Sequence, residues 1–225
     1  MTTLALLERE MYSEAEASRL LRVPQGTLHY WLEGGTRGHV TYLPVLRAEP
    51  TRRRVVTWAE FVEAGLLKQY RRDLQVPMPE LRQFISLLRE SLGVPYPLAT
   101  FRPWSIEKRL VIEAQEQAGL SEEYWVYAVV GDQPLLLPPG KDFLARAEFD
   151  GDVAVRWRPS ADPESPVVVD PNLRFGKPAV HGISTDVLWE YSEDGYTEAE
   201  IAKEFAISKS DVAWAVAYEN SGRAA

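Results

Sequence analysis

The sequence predicts a mainly α fold with small β elements: a winged helix-turn-helix, a mixed α/β middle segment and a C-terminal three-helix domain of helix-turn-helix type. Three observations carry this. Tyr12-Ser13-Glu14-Ala15-Glu16 returns as Tyr196-Thr197-Glu198-Ala199-Glu200, and at the same offset Arg19 meets Lys203, Val23 meets Ile207, Leu28 meets Val212 and Tyr30 meets Trp214. Each copy reads as helix, tight turn, helix. Between the copies, apolar residues recur at helical spacing up to Leu92, and then give way to short aromatic and β-branched runs. The expected domains are 1–95, 96–160 and 161–225.

The first helix is expected from about Ser13 to Leu21, opened by a capping box of Ser13 and Glu16. Val23-Pro24 breaks it. A second helix follows from Gln25 to Leu32, and Gly34-Gly35 stops it because glycine accepts the conformation a helix end needs. Two β-type runs, Val40 to Leu46 and Arg54 to Thr57, joined around Glu49-Pro50-Thr51, read as a wing. Thr57 and Glu60 form another capping box, for a helix with Trp58, Phe61, Val62 and Leu66 on one face. A further helix after Pro79 aligns Leu81, Phe84, Ile85, Leu88 and Leu92, and the Gly93–Pro97 stretch ends it.

In the middle segment, Tyr124 to Val130 reads as a strand. Asp150-Gly151 is a hairpin turn leading into Val153 to Trp157, which alternates with period two. Ser160 to Pro166 reads as a linker and Val167 to Val169 as one short strand. Helices are then expected at Thr185–Glu193, Glu198–Phe205 and Lys209–Tyr218, with Thr197 and Glu200 repeating the capping box and Ser208 and Asp211 similarly spaced.

The 225 residues contain no cysteine, which excludes disulfides and thiolate metal sites. The acidic N-terminus lacks a signal peptide's plan, and no apolar run spans a bilayer, so a cytoplasmic, soluble protein is expected. The net charge of −8 is unevenly spread. Residues 1–95 hold 13 Lys/Arg against 11 Asp/Glu, whereas residues 161–225 hold 5 against 12. That asymmetry predicts different partners for the two ends.

In the N-terminal unit, Ala17, Leu20, Leu21, Val23, Leu28, Trp31 and Leu32 can form a small core, leaving Gln25, Thr27, His29 and Tyr30 to face outward. Gln can pair with adenine, and Thr can meet a base or the thymine methyl. Arg37, Arg47, Arg52, Arg53 and Arg54 of the wing suit phosphate contact, because guanidinium forks match phosphate oxygens. Residues 12–95 resemble the winged helix-turn-helix of the MerR family, through Thr27-Leu28-His29-Tyr30-Trp31 and the Thr57-Trp58…Phe61-Val62-Glu63 helix start. His29 stands where that family has Arg, which implies a weaker and pH-dependent backbone contact. The long coiled coil and thiol metal ligands of MerR sensors are missing, so metal sensing is not implied.

Residues 167–220 resemble the small helical domain of VapB-like antitoxins that accompany PIN-domain ribonucleases. The carrying motifs are Val168-Val169-Asp170-Pro171, the loop Phe175-Gly176-Lys177-Pro178-Ala179-Val180-His181-Gly182, and Gly195-Tyr196-Thr197-Glu198-Ala199-Glu200-Ile201-Ala202. His181, Gly182, Ile183 and Ser184 depart from the Arg-Gly-Thr-Arg usual there. The resemblance implies an antitoxin that binds a PIN-domain ribonuclease and represses its own operon, acting as a homodimer on operator DNA. Lys177, His181, Trp189 and Trp214 are the expected partner-binding residues, since carboxylates around the second repeat disfavour phosphate. The alternative is a MerR-like regulator with a ligand-sensing or dimerising C-terminal domain. A rival of another class is a small-molecule or enzymatic domain at 98–160.

No catalytic residue, cofactor or metal is expected. The three histidines, His29, His39 and His181, have no metal-ligand spacing. Gly34–Gly38 lacks the Lys of a phosphate loop, Asp150-Gly151-Asp152 is explained by its turn, and Glu122-Glu123 has no catalytic companion.

Overall fold

The computed structural model describes residues 3–130, 133–160 and 162–223 and divides into two compact units, Met1–Ala154 and Val155–Ala225. Residues 96–154 therefore belong with the N-terminal ones, and no unit boundary falls at Gly93–Pro97. The chain passes from one unit to the other inside a strand. The structure is mixed α/β with mainly helices, and among the described residues no helix is long and apolar enough to cross a membrane.

The first unit begins with α1 (Thr3–Leu7), β1 (Glu10–Ser13), α2 (Glu14–Leu21) and α3 (Gln25–Glu33). The Ser13 hydroxyl accepts the Glu16 N–H, and the Glu16 carboxylate accepts the Ser13 N–H at 2.9 Å. Arg22 then adopts a left-handed conformation, φ 54°, so that the Val23 N–H reaches Ser18 O at 2.9 Å and the chain turns into α3. Gly34 ends α3 for a steric reason. A Cβ there would lie 2.2 Å from Tyr42 O, so only glycine lets the following hairpin fold back.

That hairpin is β2 (Gly35–Arg37) paired antiparallel with β3 (Val40–Tyr42). The expected wing is thus corrected. The run Val40 to Leu46 is strand only to Tyr42 and pairs with the segment after α3, not with Arg54–Thr57. β4 (Val55–Thr57) pairs instead with β1, four residues too short to show a pattern of their own.

α4 (Trp58–Lys68) is buried on every side from Trp58 to Leu67, and a π-helical turn, Gln69–Asp73, extends it. Phe61 packs against Tyr12 and Trp58, with ring centroids 4.9 and 5.8 Å away. Trp58 Nε1–H donates to Ala154 O at 2.6 Å. Each large side chain buried here contributes about 1.5–3 kcal/mol, which offsets the two carboxylates, Glu60 and Glu63, that α4 also carries inward. Glu63 accepts the Leu98 N–H on Oε1, while Oε2 has no hydrogen-bond partner among the described residues. α5 (Met78–Leu92) buries Leu81, Phe84, Ile85 and Leu88, so its stripe faces the core.

The unit continues with α6 (Arg102–Ser105), α7 (Lys108–Gln117), β5 (Tyr127–Val130), β6 (Gln133–Leu136), α8 (Pro138–Leu144), β7 (Ala147–Asp150) and the first two residues of β8 (Val153–Trp157). The expected strand from Tyr124 is shorter, because a 3-10 turn occupies Glu122–Tyr124. Gln115 of α7 fixes the entry to β5: its Oε1 accepts the Val126 and Tyr127 N–H groups, and its Nε2 donates to Tyr127 O.

In the second unit, Trp157 pairs with Val169 of β9 (Val168–Val169), which pairs with β10 (Pro178–Val180), which pairs with β11 (Ile183–Ser184). α9 (Thr185–Glu193), α10 (Glu198–Phe205) and α11 (Lys209–Arg223) enclose a core of Val167, Val180, Leu188, Ile201, Ala202, Val212 and Ala215. The repeat noticed in sequence has matching local geometry. Thr197 and Glu200 form the same capping box, Ala206 takes φ 54° as Arg22 does, and the Ile207 N–H reaches Ala202 O at 3.0 Å. Arg174, Phe175 and Gly176, between β9 and β10, take φ values of 48, 55 and 71° in succession. For the two that are not glycine this conformation costs about 1–3 kcal/mol each.

Candidate nucleic-acid interface

Leu28, Trp31 and Leu32 seat α3 against the core, which leaves its opposite side in solvent. Gln25 is exposed, and Thr27 and Tyr30 are half-buried. Pro24, Gly26, Thr27, Tyr30 and Trp31 form one wall of an open cleft of about 900 Å³, and Arg71, Arg72, Gln75 and Met78 form the other. Arg71 and Arg72 are both exposed, on the π-helical turn that extends α4. The cleft thus sets Thr27 and Tyr30 of α3 opposite two arginines, an arrangement suited to base edges and adjoining phosphates.

Tyr30 does not stand free. Arg82 of α5 donates to its hydroxyl at 3.2 Å and also to the carbonyls of Leu43 and Pro44, and its guanidinium sits 5.8 Å from the Tyr30 ring centroid. Arg82 therefore joins α3, the end of the β2–β3 hairpin and α5.

His29, expected to face outward, turns to Glu14. Its Nδ1 lies 3.0 Å from Glu14 Oε1, and the Glu14 carboxylate is 1% exposed. Arg54 Nη1 donates to the other oxygen of Glu14 at 3.0 Å. His29, Glu33, Gly34, Pro50, Arg52 and Arg54 line a second, smaller cleft of about 350 Å³. Arg53 is exposed and pairs with Glu10.

Arg47 is the clear correction among the expected phosphate ligands. It is 7% exposed and serves the interior. Its guanidinium donates to Glu60 at 2.7 and 3.2 Å, to Glu33, to the Thr51 hydroxyl, and to the carbonyls of Arg53 and Val55. Burial works against the Glu33 charge, yet the Arg52 N–H, the Thr51 hydroxyl and Arg47 hold its carboxyl below the ordinary range. Arg47 is therefore the strut that carries the loop presenting Arg52, Arg53 and Arg54. The side chain of Arg37 lies outside the described residues; its backbone pairs with Val40.

The sequence reading missed Arg71, Arg72, Arg82 and Glu14. Arg71-Arg72 had a visible signal, a basic pair closing a helix. Glu14 and Arg82 had none, because their partners are distant in the chain.

The second unit presents the expected partner residues differently. Lys177 is exposed and pairs with Asp186 at 2.8 Å. His181, at φ 49°, places Nε2 3.3 Å from Asp211. Burial opposes the Asp211 charge, but Ser208 and His181 hold its carboxyl below the usual range. Trp189 is half-buried, with Nε1–H donating to Asn220 at 2.8 Å and the Arg223 guanidinium 3.6 Å over its ring. Trp214 is half-buried and packs against the core cluster.

Residues 167–218 match a family described as a protein of unknown function, DUF433. Over the whole chain, the sequence is 29% identical to the uncharacterized protein Rv2308 of Mycobacterium tuberculosis, covering 100% of this chain and 96% of the relative. The X-ray crystal structure of Rv2018 from Mycobacterium tuberculosis is similar with a TM-score of 0.72, covering 93% of this chain and 99% of that one at 20% identity. That second likeness is one of fold.

Proposed function

We propose that this chain is the DNA-binding antitoxin of a toxin–antitoxin pair. In this reading the first unit is a winged helix-turn-helix that binds an operator and represses its own operon. The second unit binds and neutralises a PIN-domain ribonuclease, and a homodimer reads a two-fold operator.

The observation that carries the DNA half is the seating of α3, with Gln25 exposed at its start and Thr27 facing a cleft walled by Arg71 and Arg72. The two repeats support a division of labour. Asp211 stands in the second copy where Thr27 stands in the first, and a carboxylate at that place repels phosphate. The toxin half rests on the resemblance of residues 167–220 to the antitoxin domain.

Fluorescence anisotropy with the DNA upstream of the chain's own gene tests the reading. Gln25→Ala with Thr27→Ala is expected to erase the preference for that DNA over random duplex. Arg71→Gln with Arg72→Gln weakens both alike and flattens the salt dependence, by about 0.9 in log–log slope for each phosphate that is no longer neutralised. Equal affinity of the unaltered protein for operator and random DNA overturns the proposal.

A further inference from the structure

We propose that the loop Leu173–Lys177 is the anchor by which the second unit grips its protein partner, Phe175 entering an apolar pocket whose rim carries carboxylates. This rests on the reading of the second unit as the partner-binding half. The Phe175 side chain is 92% exposed, and the neighbouring Leu173 is 44% exposed. By contrast, Tyr191, Phe205, Trp214 and Tyr218 of the same unit pack against its core. A single exposed apolar side chain is ordinary on a protein surface. What sets Phe175 apart is the backbone that displays it.

Arg174 and Phe175 occupy the left-handed region in succession, and such conformations persist only where surrounding groups hold them. Hydrogen bonds do so at both ends of the loop. Asp170 accepts the Asn172 N–H on its side chain at 2.8 Å and the Leu173 N–H on its carbonyl at 3.0 Å. The Gly176 N–H reaches Leu173 O at 2.9 Å, and Arg174 Nε–H donates to Gly182 O at 2.7 Å. Lys177 is tied to Asp186. A side chain displayed on a backbone already held in place requires little ordering of its loop on docking, so more of its burial goes into affinity. An aromatic knob of this kind suits the dry centre of an interface.

Charge selects the partner's chemistry. Arg174 and Lys177, which flank Phe175, are two of only five Lys/Arg in residues 161–225, against twelve Asp/Glu. Arg174, held on the Gly182 carbonyl, keeps its charge beside the knob and fits an acidic rim, to which Lys177 adds less because it shares its charge with Asp186. A second copy of this chain is a poor occupant, because the two clefts of its first unit are lined by arginines. A duplex is disfavoured by the carboxylates of the surrounding unit.

The test is calorimetric titration of the whole 225-residue chain with a purified PIN-domain ribonuclease sought in the gene next to its own. Phe175→Asn keeps a residue that tolerates the left-handed region, and its urea midpoint reports that the fold is intact. It is expected to weaken the complex at least tenfold, whereas Phe175→Tyr retains most of the affinity. Arg174→Gln with Lys177→Gln is expected to weaken it at low salt and much less at high salt. An unchanged affinity of Phe175→Asn overturns the anchor and leaves the partner reading standing. No complex with the unaltered chain overturns both. Loss in Phe175→Asn of a homodimer seen by sedimentation, or of DNA binding, also overturns the anchor, since the loop would then serve another occupant.

Discussion

Nδ1 of His29 lies 3.0 Å from Oε1 of Glu14, a carboxylate buried at the first turn of α2. The pairing ties α3 to the start of the preceding helix, and Arg54 completes it from the neighbouring loop. Glu14→Gln is expected to destabilise the first unit by about 1.5 kcal/mol, the low end for hydrogen bonds to a charged group. The low end applies because Arg54 is largely exposed and its share is screened. Urea unfolding measures this, and an unchanged midpoint would remove Glu14 from the bracing role.

Arg47 and its three neighbours in the loop should separate cleanly. Arg47→Met leaves Glu33 and Glu60 without their buried cation and is expected to lose about 3–5 kcal/mol. Replacing Arg52, Arg53 and Arg54 by Gln one at a time alters stability by no more than about 1 kcal/mol, as exposed pairs do. Denaturation curves for the four variants decide it; a mild Arg47 variant would contradict its place in the interior.

Glu63 predicts a pH dependence. Complete burial pushes its carboxyl up to about 8, against attraction from Arg89 and the Leu98 N–H. Between the ordinary value of 4.5 and about 8 the folded state therefore holds a proton that the unfolded chain has released. Unfolding free energy falls as pH rises through that window and levels off above it. Glu63→Gln keeps a neutral side chain at every pH, so the variant should unfold at a nearly constant temperature from pH 5 to 8 while the parent's midpoint declines. Parallel curves would sink this account.

The capping boxes offer a local test in each unit. Thr197→Ala removes the acceptor for the Glu200 N–H at the start of α10, and Ser13→Ala does the same for Glu16 in α2. Each is expected to destabilise its own unit by about 1 kcal/mol. Hydrogen exchange resolved by segment should show faster opening of α10 in the first variant and of α2 in the second.

Much of this architecture is legible from short-range chemistry. The capping pairs, the Val23-Pro24 break, the stripe on α5 and the three C-terminal helices all follow from residues within one or two turns of each other, whereas α4 is buried all round and not on one face alone. What stayed hidden depends on residues far apart in sequence. Arg47 looks like one more basic residue beside Arg52–Arg54 until Glu33 and Glu60 close around it. The partner of β4 is β1, forty-odd residues earlier, so adjacency in sequence suggested the wrong pairing. Gly34 was readable as a helix stop, but not as the point where Tyr42 O crosses over the chain. At the candidate site, Gln25 and Thr27 were legible from the helix start, whereas Arg71 and Arg72 showed only as a basic pair closing a helix, their relevance coming from the cleft that they share with α3.

The strand β8 belongs to both units at once. Ala154 accepts the Trp58 indole in the first, while Arg156 pairs with Asp170 and Trp157 with Val169 in the second. A protease that nicks the polar stretch after Trp157 would not release two finished modules. The C-terminal fragment would leave behind the strand and the cation on which its own sheet and Asp170 depend. Any attempt to study that half in isolation should keep residues 155–158 on its N-terminus.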